Sequence, residues 1–311
     1  MRKFPVCIFW CLFLCPGLAD VLPLDDALRA TYVACVGIDD ELIELKKMAG
    51  INTAVAGAGT AVNTGATVVG IVKANKDKQV EGFERLIQEL SEMEDDKEAP
   101  TEEQVNQWRR EFDESFESGK SEKALTEQVT KLNQQSKSLG NWRTGLLAGA
   151  TVTNVAGAII SGKNKVDADL QIQIDSCRIS VKSLKDSIMQ ARINGEDVSE
   201  ANKIANACGE YDYVDVSKIN NRATGGMISS IVGATTGAAG TATSVLANSD
   251  KIRNDNTDNG KQKEKSLNVA SNVLAGAGTV ASATATVFNA TQISAIKKVA
   301  AVAEQCTGVL K

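Results

Sequence analysis

Gly276-Ala277-Gly278-Thr279 is the stretch that decides the fold, and it lies at the centre of a long segment without a charged side chain. Three similar centres lie upstream, each in its own uncharged segment rich in Gly, Ala, Ser and Thr. They are Gly57-Ala58-Gly59-Thr60, Gly149-Ala150-Thr151-Val152 and Gly233-Ala234-Thr235-Thr236. The uncharged segments are residues 48–72, 145–162, 224–249 and 266–296. Charged and amphipathic sequence joins them, so we expect these four segments to organise the fold.

Small residues recur at intervals of four within the uncharged segments. In the second segment the series is Gly145, Gly149, Thr153, Gly157 and Ser161. Residues four apart lie on one face of an α-helix, and small side chains there let a second helix approach closely. We therefore predict four small-residue helices. Their close contacts are expected at Gly57, Gly149, Gly157, Gly233, Gly237 and Gly276.

The remaining composition favours long helices. Aromatic residues make up only 4% of the chain, and Pro100 is the only proline after Pro23, so few positions forbid helix continuation. Outside the uncharged segments, apolar residues recur every three to four positions, which is typical of amphipathic helices. The sequence therefore predicts an all-α fold, an elongated multi-helix bundle built around small-residue helices.

One amphipathic stretch has the regularity of a coiled coil. Its apolar residues follow intervals of four and three, and it ends at the turn pair Asn194-Gly195. The apolar residues are Val166, Leu170, Ile174, Cys177, Val181, Leu184 and Ile188. We expect this seam to be buried against another helix.

These patterns divide the chain into five segments. They are a signal peptide (1–19), an N-terminal helix with the first small-residue helix (20–72), an acidic amphipathic helical segment (73–140), a small-residue helix with a heptad-like hairpin (141–224), and two small-residue helices joined by a polar linker (225–311). Within them we expect an unbroken helix over residues 24–48 and an irregular loop over residues 209–224.

The spacing of the four Gly-Ala centres suggests repetition. Successive centres are separated by roughly 43 residues or by roughly twice that number. A unit of roughly 43 residues is about the size of two packed helices. Two interpretations remain open. The chain contains internal repeats of helical hairpins, or Gly/Ala/Thr-rich stretches resemble one another through composition alone.

Residues 1–19 have the features of a secretory signal peptide. Arg2 and Lys3 precede an apolar run, and Gly17 and Ala19 supply the small residues for cleavage after position 19. The apolar run is too short to span a membrane, which takes about 20 residues. We therefore expect an exported protein, periplasmic, extracellular or envelope-associated.

Export would leave Cys35, Cys177, Cys208 and Cys306 in a compartment that permits disulfides. Four cysteines allow three connectivities. We favour Cys177–Cys208, across the predicted turn, and Cys35–Cys306, which would join the first helix of the exported chain to the last. The alternative is that each cysteine is a small buried hydrophobic residue.

The sequence offers little for catalysis. It contains no histidine, which removes the commonest general base and the commonest metal ligand. The glycine centres lack the Lys-Ser/Thr of a phosphate-binding loop, and neither a Cys-x-x-Cys pair nor calcium-loop spacing occurs. The net charge of -5 argues against a nucleic-acid partner. We therefore expect no enzyme activity, cofactor, metal site or small-molecule substrate.

Two functional hypotheses follow. The first is a non-catalytic exported helical protein with a structural or partner-binding role, associating with another protein or with itself. The alternative is a membrane-inserting or envelope-embedded protein that oligomerises through Gly/Ala helix seams. Each uncharged segment has about 18 residues or more, which is enough to span a bilayer. Their Asn and Thr side chains oppose insertion of a lone helix, so hydropathy favours the soluble bundle.

Overall fold

The structure is a computed structural model, and it describes residues 21–96, 101–104, 106, 122–253, 255 and 257–310. Helices account for 92% of these residues and none of them lies in a β-strand, which confirms the all-α prediction. The main helices are α1 (Leu24–Cys35), α2 (Ile38–Asp96), α3 (Glu122–Lys163), α4 (Ala168–Ile193), α5 (Ser199–Cys208), α6 (Ser217–Ala247), α7 (Asp250–Arg253) and α8 (Asp258–Leu310), and a 3-10 helix, Gly209–Tyr213, follows α5.

The described residues form two compact units. Unit 1 comprises residues 21–47, 166–219 and 294–310, and unit 2 comprises the described residues of 48–165 and 220–293. This division differs from the five predicted segments, because helices continue across the predicted boundaries at residues 72, 140 and 224. A change from uncharged to charged sequence does not end a helix; that takes a proline, a cap or a glycine with a left-handed backbone. The predicted signal peptide lies outside the described residues.

The helix predicted over residues 24–48 is broken. Helix α1 ends at Cys35 and α2 begins at Ile38, and Gly37 between them has a φ of 92°. Only glycine adopts this conformation at little cost, so Gly37 sets the break. The predicted loop over residues 209–224 is also wrong, since it contains the 3-10 helix and the first turns of α6. Tyr211 anchors this stretch, because its side chain is fully buried.

Unit 1 is built on the predicted heptad seam of α4. Helix α1 packs against α4, and every seam residue from Val166 to Ile188 is buried, which confirms that prediction. Asp167 caps α4, since its side chain accepts a hydrogen bond from the Leu170 backbone amide. The predicted turn follows α4, where Gly195 has a φ of 79°.

Unit 2 contains a four-helix bundle formed by the uncharged segments. Helices α2 and α3 are antiparallel, since Asn52 bonds to Ser161 while Gly70 lies against Arg143. The same relation holds for the next two pairs of helices. The residues in contact are Gly157 with Ser230 and Gly140 with Asn248 between α3 and α6, and Gly226 with Asn289 and Gly240 with Ser271 between α6 and α8. The bundle therefore has an up-down-up-down topology.

The seams of this bundle follow a heptad rather than an interval of four. In α3 the buried positions alternate steps of four and three, as in a coiled coil. They are Arg143, Leu147, Ala150, Asn154, Gly157 and Ser161. Since each residue turns a helix by about 100°, a strict interval of four drifts by roughly 40° per step. Gly145 is accordingly exposed, and the predicted stripe does not stay on one face.

Beyond the uncharged segments, α2 and α3 continue as amphipathic helices. Val80, Phe83 and Leu86 of α2 form a buried cluster with Leu125 and Leu132 of α3. This cluster includes the apolar residues that gave the acidic segment its helical prediction. Residues 107–121 of the predicted acidic segment lie outside the described residues.

Candidate functional site

The centre of the unit 2 bundle is polar. Asn63 Nδ2 donates a hydrogen bond to Ser282 Oγ at 3.0 Å, and Ser282 Oγ donates to Asn154 Oδ1 at 2.9 Å. All three residues are buried, so one chain of side-chain hydrogen bonds joins α2, α8 and α3. Glycines make room for it: a Cβ at Gly233 would lie 2.9 Å from Asn154 Cγ, and one at Gly278 would lie 3.0 Å from Asn63 Oδ1.

A second polar layer lies one to three turns along the bundle. Asn52 Nδ2 donates to Ser161 Oγ at 2.6 Å, and both side chains are buried. Ser230 and Asn289 are buried beside Gly157 and Gly226 of the facing helices. We call the buried residues of these two layers the polar interior. Its members are Asn52, Asn63, Asn154, Ser161, Ser230, Ser282 and Asn289.

Charged and amide groups flank the polar interior. Lys73 is 1% exposed, and its Nζ lies 2.7 Å from Asp77 Oδ2 and 3.5 Å from Glu264 Oε1. On the other side of the layers, Gln292 Nε2 donates to the Asn164 carbonyl oxygen at 2.6 Å. Two carboxylates therefore neutralise the ammonium group of Lys73, which is the first charged residue after the uncharged segment of α2.

Three of the six predicted packing glycines lie at helix contacts. Gly157, Gly233 and Gly237 are buried, and a Cβ added to any of them would come within 3.2 Å of a side-chain atom on a neighbouring helix. A real Cβ does not reach such distances without displacing its neighbour. These three glycines therefore set the spacing between α3 and α6.

The other three predicted glycines lie differently. A Cβ at Gly57 or Gly276 would meet nothing within 4 Å among the described residues, and one at Gly149 would meet only Val62 Cγ1, at 3.7 Å. The structure therefore differs from the expectation that all six make close contacts. The heptad explains the difference, since the buried residues near these glycines are Gly59, Ala150 and Gly278.

The outer surface of the same four helices is apolar. Valine and isoleucine side chains point outward along the uncharged segments, and the sequence places no charge between them. We call these exposed residues the apolar belt. They are Ile51, Val68, Ile71, Val72, Val152, Val155, Ile159, Ile228, Ile231, Val232, Val245, Leu246, Val269, Val273, Val280 and Val287.

Three stretches of the described chain contain an apolar window long enough to cross a membrane: Leu24–Glu89, Leu125–Ile193 and Asp258–Leu310. Only 28%, 28% and 33% of the residues in these windows are buried. The outward-facing positions of these three stretches include members of the apolar belt such as Val68, Val152 and Val280. A helix in a water-soluble bundle shows the opposite arrangement, with its apolar stripe toward the core and charged residues outside.

All four cysteines predicted to form disulfides do so, but with a different connectivity. Cys35 is bonded to Cys177 and Cys208 to Cys306, with Cα–Cα distances of 4.7 and 4.5 Å. The favoured pairs, Cys177–Cys208 and Cys35–Cys306, were wrong. The reason is that Cys177 lies on the seam that α4 presents to α1, where it meets Cys35, while the end of α5 meets the last turns of α8.

The asparagines of the polar interior were missed as site residues. Each asparagine is spaced by one heptad from another buried small or polar residue. Asn154 lies one heptad before Ser161, and Asn63 lies one heptad before Gly70. The pattern could have been found by testing an interval of 3.5 as well as an interval of four.

In this arrangement Asn52, Asn63 and Asn154 are hydrogen-bonded to serines inside the bundle, and aliphatic side chains face outward. No protein-family model matches the sequence, and no curated protein or solved structure is significantly similar to it.

Proposed function

We propose that this chain is a non-catalytic membrane protein whose unit 2 bundle is embedded in a lipid bilayer. One observation carries the proposal: the uncharged helices turn asparagine and serine toward one another and turn valine and isoleucine outward. In a bilayer, buried polar side chains hydrogen-bond between helices, and small residues let the backbones approach. Helices that span the hydrocarbon also satisfy their own backbone hydrogen bonds.

The burial of asparagine side chains removes the hydropathy objection to membrane insertion, which favoured a soluble bundle. That argument counts Asn52 and Asn63 against insertion of an isolated α2. In the bundle both side chains are buried and hydrogen-bonded to other helices, so lipid does not meet them. Transfer of the apolar belt from water to lipid then supplies the favourable free energy. Each aliphatic side chain removed from water contributes about 1.5–3 kcal/mol.

The dimensions of the apolar belt fit a bilayer. On α2 its exposed members run from Ile51 to Val72, which is about 32 Å of helix at 1.5 Å per residue. The hydrocarbon core of a typical bilayer is about 30 Å thick. The uncharged segment of α2 ends at Lys73, whose ammonium group forms ion pairs with Asp77 and Glu264 at the edge of the apolar belt.

Export to an oxidising compartment belongs to the same proposal. Two disulfides in unit 1 are typical of proteins outside the reducing cytosol. The predicted signal peptide over residues 1–19 supplies a route to the membrane. We place unit 1 on the oxidising side, in the periplasm, outside the cell or at its envelope.

Self-association is the remaining part of the proposal. Gly157, Gly233 and Gly237 are used within the bundle, so they are not available to a second copy. Gly57 and Gly276 have open space beside them. Contacts between copies in the bilayer would therefore form at these two glycines rather than at the interior seams.

Alkaline carbonate extraction of membranes from cells that express the full chain tests the proposal. We expect the chain to stay in the pellet and then to float with lipid in a density gradient, which separates embedded protein from aggregates. Val280→Lys with Val152→Lys should shift the chain toward the supernatant, because a lysine at the bilayer centre costs about 2.5–3.5 kcal/mol. The control is Tyr213→Lys, at a position of unit 1 that is 89% exposed. Release of the unaltered chain by carbonate, or failure to float, would reject the proposal.

A further inference from the structure

The two disulfides of unit 1 lie next to each other. The Sγ atoms of Cys35, Cys177 and Cys306 all lie within 4.8 Å of one another. Cys35 and Cys177 form one disulfide, and Cys306 belongs to the other. All four cysteines are 0% exposed. The sulfur of one crosslink is therefore held beside both sulfurs of the other, in a buried and ordered setting.

We propose that these cysteines form an internal thiol–disulfide exchange site, whose co-substrate is a dithiol reductant. The dithiol opens Cys208–Cys306 and is itself oxidised to a disulfide, while two electrons and two protons pass to the cysteine sulfurs. The Cys306 thiol then ionises, and its thiolate attacks Cys177 Sγ. The Cys35–Cys177 bond breaks, and Cys35 leaves as a thiolate that takes up a proton.

The position of Cys306 in the chain explains why its disulfide opens first. Cys306 lies in the last turns of α8, which ends at Leu310, and Cys208 is the last residue of the ten-residue helix α5. Helix ends open locally at low free energy. Cys35 is also the last residue of its helix, α1, but its partner Cys177 lies in the middle of α4, on the buried seam. Local opening therefore exposes Cys208–Cys306 to a reductant before Cys35–Cys177.

Exchange changes which helices are tied together. The starting crosslinks join α1 to α4 and α5 to α8. Attack by Cys306 on Cys177 gives a crosslink from α4 to α8, and attack on Cys35 gives one from α1 to α8. Reduction of the Cys208–Cys306 disulfide at the end of α8 thereby leads to loss of the Cys35–Cys177 disulfide between α1 and α4.

The first experiment uses the full chain with Cys208→Ser, which leaves Cys306 as a thiol beside an intact disulfide and needs no reductant. The protein is held at pH 8.5, then alkylated with N-ethylmaleimide, digested and mapped by mass spectrometry. We expect the alkylated thiol to spread from Cys306 to Cys35 and Cys177. Exchange should be roughly a hundredfold slower at pH 6, because the thiolate is the nucleophile and an ordinary thiol has a pKa of about 8.5.

Two controls tie the result to proximity within one molecule. The exchange rate should not change over a tenfold range of protein concentration. Cys306→Ser leaves Cys208 free instead, and Cys208 is not one of the three sulfurs that lie together, so its label should stay at Cys208. Equal scrambling in both variants would overturn the proposal, as would a label that remains on Cys306 alone.

A second measurement applies if Cys208→Ser loses its helical circular dichroism. The unaltered chain is treated with less than one equivalent of dithiothreitol, alkylated and mapped. Peptides that link Cys306 to Cys35 or Cys177 are the expected products. A map that contains only the two original pairs and free Cys208 and Cys306 would refute the exchange site.

Discussion

Gly233 and Gly276 begin similar sequence centres but have opposite surroundings. A Cβ at Gly233 would lie 2.9 Å from the Asn154 amide, whereas one at Gly276 would meet nothing within 4 Å among the described residues. Both lie inside long helices, where glycine costs roughly 0.5–1 kcal/mol relative to alanine. At Gly233 this cost is offset by the room it leaves for a buried hydrogen-bond network. At Gly276 the described residues of the same chain provide no contact to a Cβ that would offset it.

We therefore predict opposite effects for one substitution at these two sites. Gly233→Ala should destabilise the protein by about 1–3 kcal/mol, the typical cost of an overpacked contact. Gly276→Ala should stabilise it by up to about 1 kcal/mol, because alanine is the better helix former. Thermal unfolding in detergent measures both variants against the unaltered chain. Equal shifts in Tm would show that the interior contact at Gly233 does not exist.

Glu41 in unit 1 provides a pH-dependent test. Burial raises the pKa of its carboxyl above the ordinary 4.5, and the carboxylates of Asp167, Asp169 and Glu44 add to the rise. A raised pKa means that the folded state favours the protonated form. The stability that Glu41 contributes is therefore fully present below the ordinary pKa, and it is lost as pH rises through the raised value.

Glu41→Gln should accordingly raise Tm slightly at pH 7 and leave it unchanged at pH 3.5. The gain should be about 0.5 kcal/mol or less, because Glu41 is largely exposed and solvent screens its neighbours. Thermal unfolding of both forms across this pH range measures the difference. A lower Tm at pH 7 would mean that Glu41 has a favourable partner, contrary to the repulsion described.

At the scale of the helices, the polar interior fixes how the four helices of unit 2 align. Asn63 and Asn154 both bond to Ser282, so α2 and α3 are each tied to one position on α8. Polar groups buried at single seam positions are known to specify register in helical assemblies. A shift of one turn along any of these helices would break the network and leave buried amides unpaired.

Removing one member of the network should cost more than removing an outward-facing hydroxyl. Asn63→Ala should destabilise the bundle by about 1–3 kcal/mol, since the buried Ser282 hydroxyl loses the hydrogen bond that it accepts from Asn63. Thr64→Ala is the matched control, because Thr64 Oγ1 is exposed and bonds only to the Thr60 carbonyl of its own helix among the described residues. If both variants unfold at the same temperature, the network does not hold the helices together.

The helices and the buried seam of α4 were predictable from sequence, but the seams of the unit 2 bundle were not. The uncharged segments and the α4 heptad have local signals, so the all-α class and the buried residues of α4 follow from them. The seam of α3 was misread, because small residues at intervals of four hide a heptad whose members include Asn154 and Arg143. The pairing of Cys35 with Cys177 depends on which helix lies against α4, and that is set by contacts distant in sequence.

The candidate site was hidden for a related physical reason. Sequence hydropathy averages over a helix and cannot tell an asparagine that faces another helix from one that faces outward. Asn52 and Asn63 therefore count against membrane insertion in the sequence and support it in the folded bundle. Apolar periodicity likewise does not report backbone conformation. It predicts one continuous helix over residues 24–48, but the left-handed conformation of Gly37 divides that helix in two.

At the scale of the whole molecule, the surfaces of the two units differ in composition. The unit 2 bundle carries the apolar belt without a charged residue in its uncharged segments, whereas exposed apolar residues of unit 1 such as Ile179 lie among charged neighbours such as Arg178 and Lys182. An apolar surface of this extent without charge is unusual for a protein in water. The arrangement is explained if lipid covers the apolar belt and water covers the exposed surface of unit 1.

Spin-label accessibility in reconstituted vesicles tests this central claim most directly. Single labels at Val280→Cys and Val152→Cys, both 68% exposed, are compared with one at Tyr213→Cys. The account predicts that the first two are relaxed by oxygen, which concentrates in hydrocarbon, and are shielded from a water-soluble nickel chelate, while the third shows the reverse. Strong relaxation of the Val280 and Val152 labels by the nickel chelate would place the apolar belt in water and contradict the account.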